Sequence, residues 1–189
     1  MAFAFGFLVL LFFRDPRRVY RGDPANVIAA ADGVVTRVDT IEDSAVGPGK
    51  LQRIVTFLSP LDVHVQRTPV AGKVVSSALV RGKKVAAFRA DADRCNENHL
   101  SVIERPNGDR IGVRQIVGAV ARRIVCTLRP GEQVEQGQSM GLIKFGSRVD
   151  LLLPAHYRVV AVTGRRLRNG ETVVAESGPA GAHHLSHDQ

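Results

Sequence analysis

Four segments of the chain hold side chains that can do chemistry: Phe12-Phe13-Arg14-Asp15-Pro16-Arg17-Arg18, Ala31-Asp32-Gly33, Phe57 to Pro69 (FLSPLDVHVQRTP) and Ile143 to Asp150 (IKFGSRVD). The hydroxyl of Ser147 is a weak nucleophile until a base takes its proton, and His64 carries the side chain whose free pKa lies nearest neutrality. A carboxylate on the second ring nitrogen would fix the tautomer and stabilise the imidazolium, and Asp32, in an Asp-Gly turn, can supply one. Asp62 stands two residues before His64 and would share its face on a strand, which makes it a rival. We read it as a structural carboxylate that caps a helix or a turn. Taken singly, none of these residues is specific: a histidine in a strand is usually structural, Asp-Gly forms turns in any case, and Gly-Ser is a common pair.

The elements that must position these groups read as strands. Short apolar runs at Val27–Ala31, Val34–Val38, Ile54–Leu58, Lys73–Ser77 and Ile111–Val113 are each bounded by Gly, Pro or Asp. No stretch keeps a 3.6-residue apolar period over three turns, so the expected fold class is mainly β, a sandwich or barrel. Ile116 to Ile124 fits either a strand pair or one short helix. An internal repeat sharpens the expectation. Gly131-x-x-Val134-x-x-Gly137 recurs as Gly164-x-x-Leu167-x-x-Gly170, and Pro69-Val70-Ala71-Gly72-Lys73-Val74-Val75 echoes the turn and strand at Asp32-Gly33-Val34-Val35. These signatures are similar to those of lipoyl and biotinyl carrier domains and of duplicated β-hybrid folds.

The chain has 189 residues, 44% of them hydrophobic, enough to bury a core. Its net charge of +8 attracts anions, but no helix-turn-helix spacing, paired Cys/His ligands or interleaved aromatics mark a nucleic-acid binder. Cys95 and Cys126 lack C-x-x-C spacing and read as small core or surface residues of an intracellular protein. The run Ala2 to Phe13 (AFAFGFLVLLFF) is twelve residues long, short of the roughly twenty that span a bilayer. With no basic region before it and no small-residue cleavage site after it, a signal peptide is disfavoured, which leaves an interfacial anchor, a shortened transmembrane segment or a buried terminal segment. Membrane association, peripheral or shallowly inserted, is expected, with the following arginines on the cytoplasmic side of the cell membrane. The expected division is this segment and its flank at 1–18, a catalytic β domain at 19–175, and a disordered tail at 176–189 whose three histidines have no fixed ligand geometry. No metal site is expected.

In their order the four segments resemble the short bacterial and archaeal type of phosphatidylserine decarboxylase proenzyme. The likeness runs from Phe12 to about Ala175 and takes in Gln115-Ile116-Val117-Gly118 and Ala121-Arg122-Arg123-Ile124-Val125. It implies that the chain cuts itself between Gly146 and Ser147, that Ser147 becomes a pyruvoyl cofactor, and that Asp32 and His64 serve the serine. Serine attack on the Gly146 carbonyl would convert amide to ester. β-Elimination would then free Gly146 as a carboxylate, and hydrolysis of the dehydroalanine would leave the pyruvoyl. Gly146 suits that role, since a residue without Cβ tolerates strain and leaves its carbonyl open. In turnover the pyruvoyl would form a Schiff base with the serine amine of a phospholipid and act as the electron sink for loss of carbon dioxide, giving phosphatidylethanolamine, with His64 as proton donor. The implied partners are the phospholipid, an anionic membrane and the protein's own two cleavage products as a heterodimer, with further homo-oligomerisation open and no nucleic acid.

Arg122, Arg123 and Arg148 are candidates for the lipid phosphate, as is plain solvated surface. Asn96-Glu97-Asn98 departs from the family's Asn-Glu-Arg at its third position. Three other readings compete: a pyruvoyl enzyme acting on a soluble amino acid or on another serine lipid such as archaetidylserine, a non-catalytic lipoyl- or biotinyl-type carrier, and a basic β-barrel that binds nucleic acid or membrane without chemistry. The carrier needs a lysine at a hairpin tip, whereas Lys144 precedes Phe-Gly-Ser within an apolar segment.

Overall fold

The structure is a computed structural model describing residues 12–87, 89, 91–119, 123–144 and 147–177. Most of the apolar run, the residues Phe145 and Gly146, Arg122 and the tail from 178 onward lie outside these, so the expectations for a membrane segment and a disordered tail fall beyond the description. Among the described residues no helix is long and apolar enough to cross a membrane.

The strands, in chain order, are β1 (Val27–Ile28), β2 (Gly33–Glu42), β3 (Lys50–Leu58), β4 (Val65–Arg67), β5 (Gly72–Val80), β6 (Asn98–Glu104), β7 (Arg110–Val117) and β8 (Ile124–Cys126). They continue as β9 (Gln133–Val134), β10 (Ser139–Ile143), β11 (Ser147–Pro154), β12 (Arg158–Val159), β13 (Arg166–Leu167) and β14 (Val173–Glu176), and a four-residue helix, α1 (Ala92–Cys95), precedes β6. The protein is mainly β, as its composition requires. Ile116 to Ile124 is not one helix: β7 runs to Val117 and β8 begins at Ile124. Glu176, expected at the start of the tail, closes β14 opposite Arg158.

An eight-stranded sheet has the order β13-β2-β3-β11-β7-β6-β5-β9, and two three-stranded sheets are ordered β1-β14-β12 and β4-β10-β8. The large sheet reads the same from both ends when β13 matches β9, β2 matches β5, β3 matches β6 and β11 matches β7. Its hydrogen bonds repeat accordingly. Gly164 N–H donates to Val35 O at 2.8 Å as Gly131 N–H does to Val74 O at 2.7 Å, and Gly170 N–H to Ala29 O at 3.0 Å as Gly137 N–H to Thr68 O at 2.9 Å. Gly33 and Gly72 explain the echoed turns. Each opens a strand where a Cβ would strike a carbonyl of the neighbouring strand, that of Phe57 or of Glu104.

Alternation along β11 assigns its two faces. Val149, Leu151 and Leu153 enter the main core with Val113, Val117, Ile54 and Leu58, on the side covered by the small sheets. Arg148, Asp150 and Leu152 point the other way. There Arg148 (1% exposed) forks onto Asp150 (0% exposed) at 2.6 and 2.7 Å, and Arg53 bridges Asp39 at 2.6 Å and Asp93 of α1 at 2.7 Å. Burial pushes the Asp150 carboxyl up against the opposing pull of the two guanidiniums. Such a network fixes geometry more than it stabilises. Arg148→Met, which leaves Asp150 short of its closest partner, is expected to lower the unfolding free energy by about 3–5 kcal/mol in urea titration, and Arg148→Met combined with Asp150→Leu to recover most of it.

Candidate active site

Three segments distant in sequence meet at one end of the large sheet. Gly33 and Val34 open β2, Val34 pairs with Phe57 near the end of β3, and Leu58 pairs with Ser147 at the first position of β11. On its other side Ser147 faces Val117. The loop after β3 leads through the turn at Ser59 into His64, whose carbonyl receives the Ile143 N–H at 3.4 Å at the end of β10. The strand beside His64 thus ends at Ile143, four residues before Ser147 opens β11.

Ser147 is fully buried, and its Oγ has no hydrogen-bond partner among the described residues. Nε2 of His64, a residue 1% exposed, is likewise bare. Nδ1 lies 2.8 Å from the Asp62 carbonyl oxygen. A carbonyl only accepts, so Nδ1 carries the proton and Nε2 of the neutral ring presents its lone pair. Burial lowers the His64 pKa. The Asp62 carbonyl and the Asp62 and Asp32 charges pull it back up, while Arg14 adds to the lowering. The ring is thus a neutral base with a free acceptor nitrogen.

The expected Ser-His-Asp arrangement is closed by a hydrogen bond at neither contact: Ser147 Oγ and His64 Nε2 are both bare among the described residues. Asp32 does not bond the His64 ring: Arg18 forks onto both its oxygens, one at 2.9 Å, and the Asn169 N–H donates to it at 2.8 Å. Its donors are already in place, and Asp62, two residues before the imidazole, offers a nearer carbonyl. Asp32 reaches His64 through its field instead. The Asp62 carboxylate caps its turn, accepting the Ser59 N–H at 2.8 Å, and pairs with Arg166. Arg148 cannot meet a lipid phosphate, because it is locked on the face opposite Ser147. Gly146 lies outside the described residues.

The end of the apolar run and the segment following it strap this end of the molecule. The Phe12 ring stacks on His64 with centroids 4.0 Å apart, Arg14 donates to Leu61 O at 2.7 Å, Asp15 pairs with Arg67, and Arg18 holds Asp32. Sequence reasoning missed Asn169, which is buried and donates to Val65 O besides holding Asp32, and it missed the paired amides of Gln66 and Gln115. Gln115 had a signal: it shares parity with Ile111, Val113 and Val117, a polar residue in an apolar row.

A second nucleophile stands apart from these groups. Cys126 Sγ lies 3.5 Å from Ser101 Oγ and 3.9 Å from Ser77 Oγ. Burial pushes the thiol up, but hydrogen bonds from His99 and Ser101 outweigh it and bring it to about 7. Iodoacetamide should therefore alkylate Cys126 with an inflection near pH 7, moved toward about 8.5 in His99→Gln, as read by peptide mass spectrometry. No cluster of three or more metal-ligating side chains occurs among the described residues.

The sequence profile described as phosphatidylserine decarboxylase matches residues 5–175. A phosphatidylserine decarboxylase proenzyme of Erythrobacter litoralis is 42% identical over 90% of this chain and 73% of its own length. One from Gluconobacter oxydans is 42% identical over 92% and 78%. A protein of Methanothermobacter thermautotrophicus, provisionally named an archaetidylserine decarboxylase proenzyme, is 44% identical over 90% and 81%. The chain belongs to the phosphatidylserine decarboxylase family.

Proposed function

We propose that the chain cuts itself between Gly146 and Ser147, carries a pyruvoyl group at position 147, and decarboxylates phosphatidylserine to phosphatidylethanolamine. The observation that carries this reading is the pair of bare, buried atoms, Ser147 Oγ and His64 Nε2, with the His64 backbone bonded to Ile143, four residues before Ser147. Unpaired polar atoms in a protein interior are costly and concentrate where chemistry needs them. They also fit the cofactor, since position 147 is enclosed and out of water.

His64 Nε2 takes the Ser147 proton as Oγ adds to the Gly146 carbonyl. The amide becomes an ester, and a second proton leaves Cα of residue 147 as the Gly146 carboxylate departs. Hydrolysis of the resulting dehydroalanine releases ammonia and leaves the ketone. Asp32 stabilises the imidazolium through space, and Arg18 and Asn169 hold Asp32 still. Once formed, the pyruvoyl supplies the electron sink for loss of carbon dioxide. His64 then returns a proton to the substrate carbon. The two products stay together as a heterodimer, because β11 lies between β3 and β7 and β14 pairs with β1.

Residues 1–18 hold the protein at the cytoplasmic face of the membrane, and the Phe12 contact with His64 carries that anchor to the site. The duplicated sheet is of the lipoyl- and biotinyl-like hybrid type, supported by the repeated glycine hydrogen bonds. The archaeal relative favours a second substrate reading, a glycerol-ether serine lipid. Vesicles containing either diacyl or ether serine lipid decide between them: carbon dioxide and the matching ethanolamine lipid are expected from the diacyl vesicles. Release from ether vesicles alone moves the assignment to the second lipid, and release from neither by a carbonyl-bearing protein overturns the function.

A further inference from the structure

We infer that Gln115 binds the amino group of the serine headgroup and so selects substrates carrying a primary amine, an inference that rests on the decarboxylase reading above. The orientation of its amide follows from a chain of hydrogen bonds. The His64 carbonyl can only accept, so the group 2.7 Å from it on Gln66 is the Nε2 amine, and the Gln66 oxygen is the opposite atom. That oxygen in turn accepts from Gln115 Nε2 at 2.8 Å. Gln115 Oε1 is left as a carbonyl with no partner among the described residues, on a side chain that is 0% exposed. Three bare polar atoms thus belong to this part of the core: Ser147 Oγ, His64 Nε2 and Gln115 Oε1.

The placement suits a ligand. Gln115 faces Val149 across the ladder, and Ser147 lies two residues along on the same face. Such diagonal neighbours have Cα atoms about 7–8 Å apart, within reach of a long side chain and a small bound group. The carbon that reacts with the substrate amine is Cα of residue 147. An acceptor-only atom beside it attracts an N–H donor and repels the carboxylate and phosphate of the same headgroup. Gln115 therefore turns the amine toward position 147, while the Gln66–His64 connection ties its direction to the base. A headgroup lacking N–H donors leaves Oε1 bare and is rejected.

The test uses full-length processed protein and phosphatidylserine in mixed micelles. Cyanoborohydride traps lipid on the small chain, read by intact mass and normalised to the carbonyl counted with phenylhydrazine. Gln115→Leu should need about tenfold to a hundredfold more lipid for half-trapping, the loss of one hydrogen bond to a charged donor. Gln115→Glu, whose protonated form donates to Gln66 and keeps a bare carbonyl, should stay near wild type. Equal trapping by wild type and Gln115→Leu overturns the inference, as does an equal loss in both variants. If Gln115→Leu fails to process, Gln115→Glu decides alone: wild-type trapping supports the inference and lost trapping overturns it. A wild type with no phenylhydrazine-reactive group sinks the decarboxylase reading itself, a different and recognisable failure.

Discussion

Ser147→Ala is expected to leave one uncut chain with no carbonyl for phenylhydrazine and no decarboxylation. Alanine offers no nucleophile, so the loss is complete, as gel electrophoresis and carbon dioxide release would record. The same substitution should not harm the fold. The Ser147 hydroxyl is buried and unpartnered, and removing such a group relieves a desolvation cost of about 1–3 kcal/mol. Thermal unfolding of the variant should therefore match or exceed that of uncut wild type. A large drop in melting temperature would mean that the hydroxyl is structural.

The second large effect belongs to His64. His64→Ala removes the base, and chain scission should slow by about 10²–10⁴-fold. In the wild type, burial holds the imidazole pKa below its ordinary value. The ring therefore stays neutral as the pH falls past about 6.5, and the scission rate should be flat through neutrality, dropping only at lower pH. Linkage gives the matching sign for stability. The unfolded chain takes up this proton near the ordinary value and the folded chain only below it, so stability from His64 declines as pH falls through that interval. A scission rate that rises steadily from pH 6 to 8 in stopped time courses would contradict a depressed His64.

Much of the architecture was legible because it is written in local chemistry. The glycine spacing at Gly131, Gly137, Gly164 and Gly170 became matched turns, and Val134 and Leu167 entered the core opposite Gly72 and Gly33. Ser147 and His64 were singled out through their motifs, and each is buried with a bare polar atom; Arg67, Arg114 and Gln115 also hold bare buried atoms. The partner of Asp32 was not legible. Arg18, fourteen residues away, and Asn169, far along the chain, both converge on it through pairings that no local pattern announces. Arg148 shows the same limit in another way. As a charge next to the reactive serine it invited a substrate role, but adjacent strand residues face opposite sides, and the opposite side holds Asp150.

The central claim is tested most directly by the intact mass of the purified wild-type protein. Two chains are expected, one ending at Gly146 and one comprising 147–189, the smaller lighter by one ammonia than its encoded sequence and closed to Edman degradation. A folded, membrane-reconstituted protein that remains a single chain of the encoded mass would contradict the account.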